Sequence, residues 1–260
     1  MHAPDKNRIS AAFDRAAHNY DQLAHFQHAV CDDLARFLCV AAPQLPEPAS
    51  VLDGGCGTGY GSGLLKERWP RCHLTGCDLS IEMLKLAENR QIDIVLADLE
   101  QLPFRSSQFD FIWSSLALQW CKTPDVYIEL YRTLKDDGIL LFATLGPGTL
   151  IELDAAFSDV DAHRHVRPFS SPREIELALK KTGFKNVRIL NETRTTRFED
   201  FNSFLASVRG IGANQVGSDR RRSMMGKNTW EKAKERYESF RDSDGLLPAT
   251  YELIFGFAVR

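Results

Sequence analysis

The stretch that decides the fold is VLDGGCGTGYG, residues 51–61, in which an apolar run ends in an aspartate and a cluster of glycines. Such a run is typical of a buried strand that turns sharply into a helix. Glycines stand at 55, 57 and 59, but position 60 is Tyr60, so the G-x-G-x-x-G spacing of dinucleotide-binding loops is not met. Asp53 would repel a diphosphate and suits an ammonium group. The loop therefore predicts a ligand with a positive end and little phosphate.

Strand and helix patterns alternate on the carboxyl-terminal side of this loop. The predicted strands are residues 50–55, 73–80, 93–98, 109–115, 139–145, 186–198 and 249–260, the sixth with the alternation of an edge strand. The predicted helices are residues 59–69, 81–89, 126–135, 149–157 and 171–183. This alternation predicts an α/β fold with a doubly wound, mostly parallel seven-stranded sheet of Rossmann-like type.

Helical segments flank the alternating region on both sides. Residues 1–45 form an N-terminal helical region, and the proline-rich segment 41–50 connects it to the first strand. Residues 199–247 are predicted to be a helical insertion before the last strand, placed to cover the ligand crevice. We expect residues 1–260 to form a single domain, with residues 50–145 as its cofactor-binding core.

Composition excludes several classes of function. A net charge of -3, with 43% hydrophobic residues, gives no global attraction to nucleic acid or to an anionic membrane. The polar first fifteen residues contain no secretory signal pattern, and the longest apolar run, 139–145, is too short to span a membrane. The six cysteines have no metal-ligand spacing, so we expect reduced thiols, no metal site and a cytoplasmic protein.

Two further acids end later strands of the predicted sheet. Asp78 ends the second strand, where a ribose-binding acid is usual, and Asp98 ends the third, where it can accept from an adenine amine. Either residue alone is more simply explained as a helix cap or turn residue. Three acids at successive strand ends beside a glycine loop favour a ligand site.

This set of residues resembles the class I S-adenosylmethionine-dependent methyltransferases over residues 50–145. The resemblance implies that Asp53 and Gly55 hold the methionine end, that Asp78 binds the ribose hydroxyls, and that Asp98 and Leu99 contact the adenine. It implies S-adenosyl-L-methionine as cofactor and S-adenosyl-L-homocysteine as product. The full implied cofactor-binding set is Tyr20, Asp53, Gly55, Gly57, Thr58, Gly59, Asp78, Leu79, Met83, Asp98, Leu99 and Ser114.

The flanks carry a closer resemblance, to the malonyl-acyl carrier protein O-methyltransferases of biotin synthesis. It rests on five segments: AAFDRAAHNYDQLAHFQ (11–27), SSLALQWC (114–121), TLGPGTLIEL (144–153), SVRGIGAN (207–214) and LPATYELIFGFA (247–258). The resemblance implies methylation of the free carboxylate of a malonyl thioester, an early step in making the pimeloyl part of biotin. A carboxylate is already ionised at neutral pH, so alignment and water exclusion suffice and no general base is required.

Four residues are candidates for acceptor binding. Arg209 offers a guanidinium fork that matches a carboxylate, although a surface pairing with Glu199 or Asp200 is equally compatible with its chemistry. Tyr20 could close over cofactor and acceptor, or be a core aromatic. Gln119 and Trp120 follow the fourth strand, where acceptors lie in this fold, and for Trp120 plain packing is the simpler explanation.

The insertion has a local excess of positive charge. Residues 209–236 contain eight Lys or Arg and three acids on a chain of net charge -3. A charge run is usually a solvated face, but an acidic acyl carrier protein would be steered toward it.

We expect a malonylated carrier protein or malonyl-coenzyme A as partner, no nucleic acid or membrane partner, and a monomer. Open alternatives are methylation of another small acid or a quinone-like ring, and a non-catalytic cofactor-binding protein.

Overall fold

The computed structural model describes residues 5–158, 160, 163–213 and 226–260, and its centre is one seven-stranded sheet. The predicted α/β architecture is confirmed. The strands are β1 (Ser50–Gly54), β2 (His73–Asp78), β3 (Asp93–Leu96), β4 (Phe109–Ser115), β5 (Leu134–Leu145), β6 (Lys185–Phe198) and β7 (Leu247–Val259).

The strand order is β3-β2-β1-β4-β5-β7-β6. Strands β1 to β5 pair in parallel, whereas β7 is antiparallel to both β5 and β6. The chain passes from β1 to β2 on one side and resumes with β4 on the other. The loop after β1 therefore lies at the point where the strand order reverses, which is where open α/β sheets bind their ligands.

Helices cover both faces of the sheet. They are α1 (Lys6–Ala16), α2 (Tyr20–Leu23), α3 (His25–Ala41), α4 (Tyr60–Arg68), α5 (Ile81–Ala87), α6 (Asp125–Thr133), α7 (Ile151–Phe157), α8 (Pro172–Thr182), α9 (Phe201–Gly210) and α10 (Lys227–Glu238). Because side chains of a strand alternate between faces, Val51 packs with Leu34 of α3, and Leu52 packs with Leu130 of α6 and Leu179 of α8. Each face is thus an apolar layer.

A third apolar cluster lies outside the sheet layers, where α7, α9 and α10 meet the start of β7. Phe204, Tyr237 and Leu247 are fully buried in it. The Tyr237 hydroxyl donates to the carbonyl of Pro248 at 2.7 Å, which fixes α10 to β7. Since β7 runs against the parallel strands, its first residues lie at their carboxyl edge. The helices between β6 and β7 are therefore attached at the edge of the sheet that carries the glycine loop.

Element ends differ from the sequence prediction at a few places. Strand β5 begins at Leu134, before the predicted Ile139, because Leu134 pairs with Phe109 ahead of an irregularity in the ladder. Strand β2 ends at Asp78 because Ser80 caps α5, its hydroxyl accepting from the Met83 N–H at 3.2 Å. Within the described residues, no helix combines the length and apolar composition needed to cross a membrane.

Candidate active site

The glycine loop between β1 and α4 folds back over the end of β2. The N–H groups of Gly55 and Cys56 donate to the Cys77 carbonyl at 2.8 and 3.0 Å. Gly55 and Gly57 have φ values of 72° and 53°, a region that favours glycine. A Cβ built on Gly57 would meet no described heavy atom within 4 Å. The loop therefore presents bare backbone to open space, where a ligand can approach the main chain.

Two carboxyl groups lie beneath this loop. Asp53 is 2% exposed and accepts from the Ser62 hydroxyl at 2.6 Å, while Asp78 accepts from the N–H groups of Gly57 and Ser80 at 3.0 and 2.8 Å. Burial, together with the charge of Asp78, raises the pKa of Asp53 to about 7. Burial also raises the pKa of Asp78. A cationic ligand group would relieve both effects, because it favours the ionised carboxylates.

Two connected cavities follow this edge of the sheet. A loop cleft beside the glycine loop is lined by Asp53, Gly55, Gly57 and Thr58, with Tyr20. A strand-end cavity continues from it across the ends of β2, β3 and β4. The predicted cofactor residues that line the strand-end cavity are Tyr20, Gly55, Gly57, Asp78, Leu79, Met83, Asp98 and Leu99. The structure thus brings residues from three successive strand ends into one elongated site.

An ion cluster that was not predicted from the sequence surrounds Asp98, a residue that lines the strand-end cavity. Lys6, at the start of α1, donates to Asp98 at 3.0 Å and pairs with Glu100 at 2.6 Å. Asp98, Glu100 and Cys121 lie close enough together to hold a metal ion, but the Lys6 ammonium already pairs with both acids. Asp98 also accepts from the Glu100 N–H at 3.0 Å. The predicted adenine acceptor is therefore part of a cross-link between α1 and the sheet.

Three predicted cofactor residues support the loop instead of facing the strand-end cavity. The fully buried Ser114 donates its hydroxyl to the Gly54 carbonyl at 2.7 Å, and its neighbour Ser115 is the serine that lines the cavity. Gly59 has φ of 82° at the cap of α4, where a Cβ would press on Arg90. Thr58 lines the loop cleft and donates to Asp21 at 2.6 Å, which ties α2 to the loop.

Tyr20 stands where the cavities meet. It begins α2 and lines the loop cleft, the strand-end cavity and a third, larger cavity. Burial, with smaller contributions from Cys31, Asp78 and Asp21, raises the pKa of its hydroxyl well above the usual value. The phenol is therefore neutral at physiological pH and remains a hydrogen-bond donor.

The third cavity, here called the helical cavity, has a volume of about 400 Å³. Its wall is mostly apolar and comes from the N-terminal helices, the segment after β4, helices α7, α9 and α10, and β7. It shares four residues with the strand-end cavity: Phe13, Tyr20, Leu116 and Trp120. Its volume falls in the range of small-molecule sites. Two ligands held in the two cavities would thus meet across a shared aromatic wall.

The predicted acceptor residues Gln119 and Trp120 both line the helical cavity. The Gln119 amide donates to the Leu116 carbonyl at 2.6 Å and accepts from the Thr144 hydroxyl at 3.2 Å, so it holds the loop after β4 in place. The Trp120 ring meets Phe13 edge to face, with ring centroids 5.7 Å apart. Trp120 therefore packs against Phe13, as the simpler explanation predicted, and it also lines both cavities.

Among the described residues, two arginines line the helical cavity, and one of them was predicted from the sequence. Arg209 lies in the last turn of α9 and is exposed. Arg209 forms no ion pair with Glu199 or Asp200, the two surface partners considered above, and the Asp200 carboxylate instead caps α9 by accepting from the Ser203 N–H at 2.7 Å. The second is Arg167, whose guanidinium lies 5.3 Å from the centre of the Trp120 ring. Nothing in the surrounding sequence HVRPFS marks it, because its place depends on a fold contact with a distant segment.

The basic segment is described only in part. Residues 214–225, which include Arg220, Arg221 and Arg222, lie outside the described residues. The charges that can be placed are Arg209 and those of α10, where Lys232 is exposed and Lys234 is half-buried.

The sheet order, the glycine loop and the acids at the strand ends define a methyltransferase of the S-adenosylmethionine-dependent class, and residues 52–142 match the methyltransferase domain family. Similarity to curated relatives over nearly the whole chain shows the family. The chain is 49% identical to the malonyl-[acyl-carrier protein] O-methyltransferase of Herminiimonas arsenicoxydans, over 96% of this chain and 95% of that protein. It is 41% identical to the enzyme of the same name from Laribacter hongkongensis, over 98% and 90%. The chain belongs to the malonyl-[acyl-carrier protein] O-methyltransferase family.

Solved structures share the fold. Phosphoethanolamine N-methyltransferase 2 of Haemonchus contortus, in complex with phosphomonomethylethanolamine and S-adenosylhomocysteine, superposes with a TM-score of 0.60 at 20% identity. The match covers 97% of this chain and 60% of that one. At this identity the likeness shows the fold alone.

Proposed function

We propose that this chain transfers a methyl group from S-adenosylmethionine to the free carboxylate of a malonyl thioester, forming the methyl ester used early in biotin synthesis. One observation carries the proposal. The strand-end cavity, with its acids and glycine loop, meets the helical cavity across Phe13, Tyr20, Leu116 and Trp120. Such a junction suits transfer between two bound molecules. The family to which the chain belongs supports malonyl-acyl carrier protein as the acceptor.

The residues of the loop cleft and strand-end cavity fit S-adenosylmethionine. The open space over Gly57 leaves room for the methionine end, and the buried Asp53 suits its ammonium. Asp78 has oxygens for the ribose hydroxyls, while Asp98 and the buried Leu99 suit the adenine. When bound, S-adenosylmethionine supplies a methyl group activated by a sulfonium, which a carboxylate oxygen can accept.

The chain's own contribution to the reaction is alignment and exclusion of water. The acceptor carboxylate is ionised at neutral pH, so neither a general base nor a metal is needed to generate the nucleophile. Well-oriented reactants reach effective molarities of ~10⁵ to 10⁸ M. Tyr20 is suited to orienting the carboxylate at the junction, since its hydroxyl stays protonated. An arginine of the helical cavity, either Arg167 or Arg209, is suited to binding that carboxylate.

The partner that presents the malonyl group is an acidic acyl carrier protein, with malonyl-coenzyme A as the small-molecule equivalent. A carrier delivers its acyl group on a long flexible arm, and a cavity of about 400 Å³ is larger than a malonyl group requires. The basic residues of α9 and α10 lie on the elements that line this cavity and would attract an acidic surface. We propose that the chain acts as a monomer, with residues 199–247 serving acceptor recognition.

The test is a transfer assay with methyl-labelled S-adenosylmethionine and the malonyl, acetyl and glutaryl thioesters of carrier protein and coenzyme A. We expect base-labile label on malonyl thioesters, none on acetyl thioesters, and faster transfer to the carrier-bound substrate. The control is Asp78→Ala, which should weaken cofactor binding by ~1 to 3 kcal/mol because a hydroxyl acceptor is lost. Label on acetyl thioesters, or none on either malonyl thioester, would contradict the proposal.

A further inference from the structure

The acceptor carboxylate must lie beside the methyl donor, so the cation that binds it has to be close to the junction of the two cavities. Trp120 is one of the few residues that line both the strand-end and the helical cavity. Arg167 also lines the helical cavity, and its guanidinium stacks on the Trp120 ring at 5.3 Å. Arg167 is thereby held at the junction, whereas Arg209, in the last turn of α9, is exposed.

The hydrogen-bonding state of Arg167 points to a missing anionic partner. Its Nε atom is fully buried and has no hydrogen-bond partner among the described residues. A buried donor left unpaired costs free energy, and more so when it belongs to a charged group. Burial lowers the pKa of Arg167, but a guanidinium remains charged at physiological pH. A ligand carboxylate would supply both the acceptor and the countercharge.

Glu100, the carboxylate that acts on Arg167, is already engaged elsewhere. Glu100 contributes a favourable charge to Arg167, yet it pairs with Lys6 at 2.6 Å and accepts from the Lys122 N–H at 2.7 Å. Within the parts of the chain that the structure describes, no carboxylate forms an ion pair with the Arg167 guanidinium. The guanidinium is stacked on the Trp120 ring and forms no ion pair with Glu100, an arrangement that positions its fork for a ligand.

We infer that Arg167 binds the free carboxylate of the acceptor and is the residue that selects a dicarboxylic monothioester over a simple acyl thioester. This assignment rests on the proposed function and names the acceptor-binding residue that the proposal left open. Arg209, whose side chain is exposed in the last turn of α9, then serves approach of the substrate. Methyl transfer neutralises the carboxylate, so the attraction of Arg167 is strongest before transfer. Loss of Arg167 should therefore raise KM more than it lowers kcat.

The test compares Arg167→Met with two matched variants, Arg209→Met in the same cavity and Arg164→Met, an exposed arginine of the same loop. Binding of malonyl-coenzyme A and acetyl-coenzyme A is measured by calorimetry with S-adenosylhomocysteine present. The wild-type protein should prefer the malonyl form on the order of 10²-fold, and Arg167→Met should abolish that preference because the free carboxylate loses its partner. Arg209→Met and Arg164→Met should keep the preference.

Arg167→Lys separates binding from packing, since it keeps the charge but lacks the bidentate fork, and it should restore part of the preference. Unchanged S-adenosylhomocysteine affinity in each variant shows that the fold is intact. A preference kept by Arg167→Met, lost instead in Arg209→Met, or absent from the wild-type protein would overturn the assignment. The proposed function fails by a different result, namely no methyl transfer by the wild-type protein to any malonyl thioester.

Discussion

The edge of the sheet that carries the glycine loop and the strand-end acids, here called the cofactor edge, is built differently from the helical cavity. At the cofactor edge, the groups proposed to bind the ligand are backbone and short acids at the ends of β1, β2 and β3, within residues 53–99. The helical cavity is made of large side chains contributed by distant segments, from Phe13 of α1 through Arg167 to Tyr251 of β7. A site made of strand ends is fixed once the sheet forms. A site made of side chains from many elements can change its occupant without disturbing the sheet.

The largest expected effect is at the cofactor edge, in Gly55→Ala. A Cβ there would lie 2.2 Å from the Ala117 Cβ, in a backbone with φ of 72°. The left-handed conformation costs ~1 to 2 kcal/mol for an L-residue, and overpacking adds ~1 to 3 kcal/mol. We expect a clear loss of thermal stability and a fall in S-adenosylmethionine affinity on the order of 10²-fold, since the loop must shift. Thermal unfolding and calorimetry measure the two.

Gly63→Ala is the matched control for this substitution. Gly63 lies inside α4, and its nearest neighbour would be the Arg90 side chain at 3.7 Å. Alanine is the better helix former by ~1 kcal/mol, so this variant should be as stable as the wild type or more stable. If Gly55→Ala also binds the cofactor normally, the contrast between a rigid edge and an adaptable cavity is wrong.

An intermediate effect is expected from pH. The pKa of Asp53 is about 7 in the free protein because of burial, and a ligand ammonium would favour the ionised form. Cofactor binding should therefore release a proton, and affinity should fall as pH drops below 7, up to ~10-fold per unit. Proton release follows from calorimetry in buffers of different ionisation enthalpy.

The same carboxyl group sets a stability trend of opposite sense. Its folded pKa is raised above the unfolded value, so the folded protein holds the proton more tightly and its stability contribution declines as pH rises from ~4 to ~7. Asp53→Asn removes the titration. This variant should bind cofactor weakly at every pH, show no linked proton release, and lose less stability over that range. Persistent proton release in Asp53→Asn would assign the titration to Asp78.

The smallest effect is expected on the outer face of the insertion. Reversing Lys232 and Lys234 of α10 to Glu should slow turnover of the carrier-bound substrate by a factor on the order of three to ten. The effect should shrink with added salt, because surface charges are screened over ~8 to 10 Å. Turnover of malonyl-coenzyme A should be nearly unaffected. A large loss with both substrates at all salt concentrations would show that α10 supports the helical cavity directly.

The sequence allowed prediction of the sheet and the cofactor edge because both follow local rules. Strand periodicity, the glycine spacing and an acid after each strand placed Asp53, Asp78 and Asp98 at one edge without knowledge of long-range packing. Ser114 was named where Ser115 lines the cavity, because alternation along a strand makes a one-residue error turn the side chain away.

The remaining residues could not be predicted because their positions depend on tertiary contacts. Lys6 reaches Glu100 only because α1 crosses the strand ends. Arg167 stacks on Trp120 only because the segment between α7 and α8 returns to the loop after β4. Neither residue lies in a recognisable motif, whereas Arg209 was found through a family segment. The exposed arginine of the helical cavity was therefore predictable from the sequence, and the one at the junction was not.

The link between Lys6 and the pair Asp98 and Glu100 bears on the exchange of small molecules. Helix α1 lines the strand-end cavity through Ile9 and Phe13, and this ammonium anchors its first turn to Asp98 and Glu100. The residence time of whatever occupies that cavity is therefore linked to fraying of the first helical turn, a motion that the ion cluster opposes.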